Sequence, residues 1–407
     1  MSRTPHPLVL LALLLCPAGA AAQVRAAASH RLYLWASSTD STAPDFLAVF
    51  DVKDDGTGDR YGGLVTTIPI PGGGHGTHHT EHEMPADRQL FASDHKSGEN
   101  FIFDLSDPAA PRLARRFGDV GPFMHAHSFW RLPNGHVLAT LQMQHDSLGT
   151  APGGLVEMTS EGSVVRSASA DLPGVDRRIR PYSVAILPRI DRVVLTTTDM
   201  QNQDSTSVVQ FWRLSDLSLR ASIDLPPGPR GDEGRHTAEP RILSDGKTVL
   251  VSTFNCGLYL LDGLGSRRPS ARLVGSFPRK PGTSCAIPIV VGRYYLVTVP
   301  AWSAVVSLDV SDPAHPREVS RLTLGPDEVP HWIGLELDHQ RVVITGYRAM
   351  RTRVLIAKFD EATGALTLDD RFRAPGSSEA GFRLEGIAWP HGGNAPAVPH
   401  GAVFSRP

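Results

Sequence analysis

The chain has little cysteine, little net charge and no long apolar run. Three cysteines occur in 407 residues, and the formal net charge is -2 at pH 7. A chain this near neutrality, with no basic run, gives a nucleic-acid partner nothing to bind through bulk charge. The apolar run Leu8–Leu15 is too short to span a bilayer, and no later stretch is long and apolar enough to try. No segment carries a sustained helical period either, which leaves an all-β chain as the reading.

That single apolar run has its own explanation. "MSRTPHPLVLLALLLCPAGAAAQ" offers a cation at Arg3, the run itself, and Ala20-Ala21-Ala22 before Gln23. This is the pattern of a secretory signal over residues 1–22. Leu15 before Cys16 does not suit lipidation, where a small residue is usual. The expectation is an exported protein of a bacterial periplasm. Removal of the leader leaves Cys256 and Cys285. A disulfide is the first reading in an oxidising compartment. Cys285 as a metal ligand, or two separate thiols, are the others.

What the chain has is a repeat. "FIFDLSDPAAPRL" (101–113) and "VSLDVSDPAHPRE" (306–318) are nearly one phrase. Weaker copies put strand-end markers at 51, 104, 157, 215, 262, 309 and 360, with successive differences of 53, 53, 58, 47, 47 and 51. A period near fifty in an all-β chain predicts a propeller, here of seven blades. "RLYLWAS", "DFLAVFDV" and "LVTTIPI" supply only three strands of one blade, so "HGAVFS" (400–405) is expected to complete it and close the ring. The expected organisation is a leader, a short extension over 23–30, and a single propeller over 31–407.

Histidine is the residue that clusters. "GGGHGTHHTEHEM" (72–84) holds four of the 17 histidines. In a propeller the innermost strand of each blade lines the central channel. The positions expected near its start hold His78 and His79, His125 and His127, Tyr182, His236, Cys285, His331 and His400. Counting back from the second strand puts His78, His125 and His236 in one register. A lone channel histidine is ordinarily a solvated filler, but several at equivalent positions point to a metal. Neutral imidazole suits copper, with zinc or iron as alternatives. Glu81 and Glu239, with Tyr182, are expected to orient the imidazoles. His82 and His95 are assigned supporting roles at most. His30, His136, His315 and His339 read as surface residues, and His391 is left open.

On these residues the chain resembles the selenium-binding protein family, which includes the methanethiol oxidases. The likeness rests on the strand pattern, "DVSDPAHPR", the pair His78-His79, "HAHS" (125–128) and the closing "PHGAVF" (399–404), whose His400 matches a family histidine. "TEHEMP" stands where the family carries a cysteine pair tied to selenium binding. The resemblance implies a seven-bladed propeller, periplasmic and copper-dependent. Its implied reaction oxidises methanethiol with oxygen to formaldehyde, hydrogen sulfide and hydrogen peroxide. The expected partner is a small-molecule substrate, a thiol on this reading. Two alternatives stand beside it. One is a non-enzymatic propeller binding a ligand or protein on the histidine face. The other is a metal-dependent hydrolase or lactonase, in which metal-bound water attacks an ester. Lactonase propellers favour carboxylate ligands for calcium, and this channel mouth is poor in carboxylate.

Overall fold

A computed structural model describes residues 30–53, 61–108, 110–118, 120–145, 151–172, 178–200, 206–280, 282–346 and 353–406. The expected leader, and all of the short extension but residue 30, lie outside the described residues.

The described strands form seven antiparallel sheets arranged as blades. Six have four strands; the seventh has four plus the short Phe382–Arg383 pairing beside Arg353–Asp360. The blade built from both termini has the order Ala397–Phe404, Arg31–Ser38, Asp45–Asp51, Leu64–Ile70. The ring is therefore closed as a hydrogen-bonded ladder, with Leu32 facing Phe404 and Leu34 facing Ala402. The sequence markers fall at or within a few residues of the ends of the third strands, as at Asp104, Asp262 and Asp309.

The core lies between blades. Alternate side chains of a strand point to opposite faces. Tyr33 and Trp35 thus pack on Phe101 and Phe103 of the next blade, while Leu34 and Ala36 pack on Trp332, Val343 and Ile356 of the previous one. Both faces of a middle strand are buried, so "RLYLWAS" reads as continuously apolar. The outermost strands have one solvated face, and Arg112–Phe117 is mostly exposed. Two 3-10 turns, Pro188–Ile190 and Pro300–Trp302, are the only helical segments among the described residues. No described helix is long and apolar enough to cross a membrane.

Candidate metal centre

Six of the seven inner strands slip in register near their start. Thr77 faces Asp94 but Thr80 faces Ala92, so His78 and His79 occupy a bulge. The same slip brackets His127 and Ser128 between Ala126 and Phe129. It brackets Tyr182 and Ser183 between Pro181 and Val184, and Ala238 and Glu239 between Thr237 and Pro240. His400 and Gly401 lie between Pro399 and Ala402, and His331 between Pro330 and Trp332. An extra residue leaves the ladder and re-aims its side chain. His78, His127, Tyr182, Ala238, His331 and His400 are therefore equivalent positions around one channel.

This corrects the counted register. His78 aligns with His127, whereas His125 and His236 align with each other, one residue before Ala126 and Thr237 and level with Gly76. Both have a left-handed backbone, φ 56° in each case. Counting back from the second strand fails because the hairpins differ in length: Thr80 faces Ala92, Phe129 faces Ala139 and Pro240 faces Val251. The histidines also sit within the inner strands, Thr77–Thr80, Phe123–Arg131 and Ala397–Phe404, instead of just before them. The glycines ahead of Thr77 permit close packing. A Cβ on Gly74 would lie 2.5 Å from that of Ser97, and the Gly74 and Gly76 amides both donate to Asp94.

Four imidazoles form the centre. The His78 ring lies 4.5 Å from His79, 4.7 Å from His127 and 4.3 Å from His400, centroid to centroid. His79 and His127 are 4.2 Å apart. His78, His79 and His127 each offer a nitrogen within 4.8 Å of the others. His331 adjoins His400 at 4.9 Å. His95, assigned only a supporting role from the sequence, lies 5.3 Å from His78. His125 meets the group through His95, at 6.0 Å, and His236 makes no ring contact with it among the described residues. Of the seven histidines expected to converge, five do.

Hydrogen bonds fix which nitrogen is presented. A carbonyl can only accept, so a ring nitrogen bonded to one must carry the proton. His400 Nδ1 donates to the carbonyl of His78 at 2.7 Å, and His127 Nδ1 to that of Tyr182 at 2.8 Å. His125 Nδ1 does the same toward His95 at 3.0 Å. Each therefore carries its lone pair on Nε2. The buried Nε2 atoms of His79 and His127 have no hydrogen-bond partner among the described residues. Backbone carbonyls behind imidazoles are the usual support of a metal site.

Burial holds His78, His79, His127 and His400 well below the ordinary imidazole range, and neighbouring imidazoles push them further. Burial likewise lowers His95 to about 4. All are neutral at pH 7, the form that binds a metal. Buried lone pairs converging without partners fit a first-row metal that prefers nitrogen. The thiolate ligands of soft-metal sites are missing, because Cys256 and Cys285 form a disulfide with Cα atoms 5.0 Å apart.

Three expected supporting residues fare differently. Glu81 does not orient an imidazole: it pairs with Arg131 at 2.7 Å and accepts the Phe91 amide. Its partner Arg131 lies 50 positions on, at the far end of the next blade's inner strand, which sequence spacing could not reveal. Tyr182 supports His127 through its carbonyl and by packing its ring at 3.7 Å. Glu239 takes Ser183 and Arg241 on one oxygen, and a carboxylate oxygen of Glu239 lies within 4.8 Å of ring nitrogens of His79 and His82. His82 stacks on Trp332 at 4.6 Å, and Trp332 in turn packs on His79 at 5.0 Å. His136 and His315 pair with Glu157 and Asp312, and His391 packs on Phe46 at 4.8 Å; none of the three joins the cluster.

A half-open cleft of about 260 Å³ adjoins the centre. His331, which adjoins His400 of the centre, lines the cleft, as does His236 with Phe254, Asn255 and Arg279.

No family model matches the chain. In sequence it is similar to a methanethiol oxidase from a Hyphomicrobium species, 23% identical over 347 residues, covering 77% of this chain and 74% of the relative. In fold it is similar to a hypothetical selenium-binding protein from Sulfolobus tokodaii, with a TM-score of 0.73 at 15% identity, covering 92% and 93% of the two chains. It is also similar to a periplasmic gluconolactonase from Pseudomonas aeruginosa, with a TM-score of 0.60 at 13% identity, covering 93% and 99%. The chain is thus distantly similar in sequence to a methanethiol oxidase, and similar in fold to a selenium-binding protein and a gluconolactonase.

Proposed function

We propose that this protein is an exported, copper-dependent oxidase of small thiols, with the metal held by His78, His79, His127 and His400. The observation that carries the reading is the convergence of four buried neutral imidazoles from three blades, two of them locked by carbonyls to present Nε2. Copper stands highest among divalent first-row metals at a nitrogen site, and exceeds zinc and iron there. The likeness to a methanethiol oxidase supports the thiol. The disulfide supports an oxidising compartment and hence export.

When bound, the metal would supply thiolate binding and a route for electrons to oxygen. The protein's own part is positioning. His331 stands where the cleft meets the centre, so a thiol arriving through the cleft meets it first. Trp332 and Tyr182 wall the imidazoles and keep bulk water from them. For methanethiol the overall change balances as one thiol, one oxygen and one water giving formaldehyde, hydrogen sulfide and hydrogen peroxide. Carbon loses two electrons and oxygen gains them.

The lactonase reading has less behind it. Its support is fold likeness alone, and Glu239 is the one carboxylate grouped with the cluster imidazoles among the described residues. Elemental analysis of the mature protein, followed by oxygen uptake with methanethiol after copper loading, tests the proposal. One copper per chain and thiol-dependent uptake are expected. A copper-loaded protein that consumes no oxygen with methanethiol overturns the oxidase.

A further inference from the structure

The cleft is larger than methanethiol needs, and its lining includes a guanidinium, Arg279. Its volume is about 260 Å³. Liquid water occupies about 30 Å³ per molecule, so this is room for roughly eight or nine waters. Methanethiol has two heavy atoms. The lining has an apolar side, Phe254, Pro300 and Val329, and a polar side with Arg279, Asn255 and Thr283.

Among the described residues, the charged side chains of the lining are Arg279 and Asp199. Arg279 gives one guanidinium nitrogen to Asp232 at 2.8 Å and is well exposed. Asp232 is shared: Arg230 approaches it at 3.4 Å and Asn255 donates to it at 3.1 Å. The lining carboxylate, Asp199, lies 3.6 Å from Arg180 and 3.9 Å from Arg178. Arg230 also lies 3.9 Å from Glu233, so Arg230 and Arg279 together face two carboxylates. The planar fork of Arg279, with donors remaining, is the geometry that recognises a carboxylate in two contacts.

We propose that the substrate is a thiol bearing a carboxylate, bound with its carboxylate on Arg279, its carbon chain along Phe254 and Val329, and its sulfur toward His331. This rests on the thiol-oxidase reading and names the substrate class for it. The reaction balances as for methanethiol: one thiol, one oxygen and one water give one aldehyde, one hydrogen sulfide and one hydrogen peroxide. The carbon bonded to sulfur loses two electrons, the carbon–sulfur bond breaks, and oxygen takes the electrons with two protons. The carboxylate takes no part.

Two measurements on the copper-loaded mature protein test it. The first is oxygen uptake with 3-mercaptopropionate against 1-propanethiol, which differ chiefly in charge. A kcat/KM at least about tenfold higher for the acid is expected, the ratio that one good charge-assisted contact supplies. Arg279→Gln should bring the ratio near one, and Arg279→Lys should keep part of it. Equal values for the two thiols in the wild-type protein overturn the proposal. The second is calorimetric binding of 3-(methylthio)propionate, which has the carboxylate but no thiol. Binding that Arg279→Gln weakens about tenfold supports the anion site. Equal binding by both proteins, or none by the wild type, overturns it. Oxygen uptake with neither thiol overturns the oxidase reading, while the thioether still decides the anion site.

Discussion

His400 donates its Nδ1 proton to the carbonyl of His78, 322 positions away in the chain. One bond thus ties the closing strand to the first complete blade and sets the tautomer of an imidazole in the centre. His400→Ala should lower metal affinity by more than the roughly 10- to 100-fold seen for loss of a supporting group. Truncation before Ala397 should do that and also open the ring, exposing the edge of Arg31–Ser38. Metal titration of the point variant and the melting curve of the truncated chain check the two effects. Unchanged metal affinity in His400→Ala removes it from the ligand set.

The bulge register separates two kinds of histidine. His127→Ala should strip the metal, while His125→Ala and His236→Ala should retain it, since neither ring joins the four-membered centre. Metal content by elemental analysis decides this. A His236→Ala protein without metal would move that residue into the ligand set.

Replacing both His78 and His79 by Ala should abolish metal binding and leave the far-ultraviolet circular dichroism unchanged. Blade packing depends on the inter-blade clusters around residues such as Trp35 and Phe101. A double variant that binds copper normally would overturn the assignment of these two ligands.

The metal-free protein should lose stability in acid. Its buried imidazoles stay neutral below the pH near 6.5 where unfolded histidine protonates. In that range the unfolded chain binds more protons, so stability falls with falling pH. The loss sets in as pH drops through about 6.5, and for His95 it continues to about 4. Melting temperatures of the metal-free form should be lower at pH 5 than at pH 8. Equal values would mean that these rings are not held neutral in the fold.

The disulfide closes a segment with a sequence separation of 29. Loop-closure entropy gives such a link about 3 to 4 kcal/mol of stability. Cys256→Ser with Cys285→Ser should lower unfolding stability by that order in denaturant melts and leave metal content unchanged. A loss of copper in this variant would bring the cysteines into the metal site.

The sequence determined the fold almost completely, because a propeller is written in local terms. Strand length, turn chemistry and the fifty-residue spacing are each set by near neighbours, and the lone strand at 400–405 had one incomplete blade to join. It also determined that histidine would dominate the channel. Tertiary structure decided which histidines meet. The bulges shift the register of six inner strands by one residue, and a one-residue shift turns side chains to another face. That is why His127 enters the centre and His125 does not. His95 joins the imidazole group from just past the end of a second strand, and Glu81 pairs with Arg131 of the next blade. The only signal in the sequence for His95 is its place at the mouth beside Asp94. The tautomers of His127 and His400 depend on carbonyls 55 and 322 positions distant. No local pattern encodes such a bond, because its partner arrives only when the ring closes.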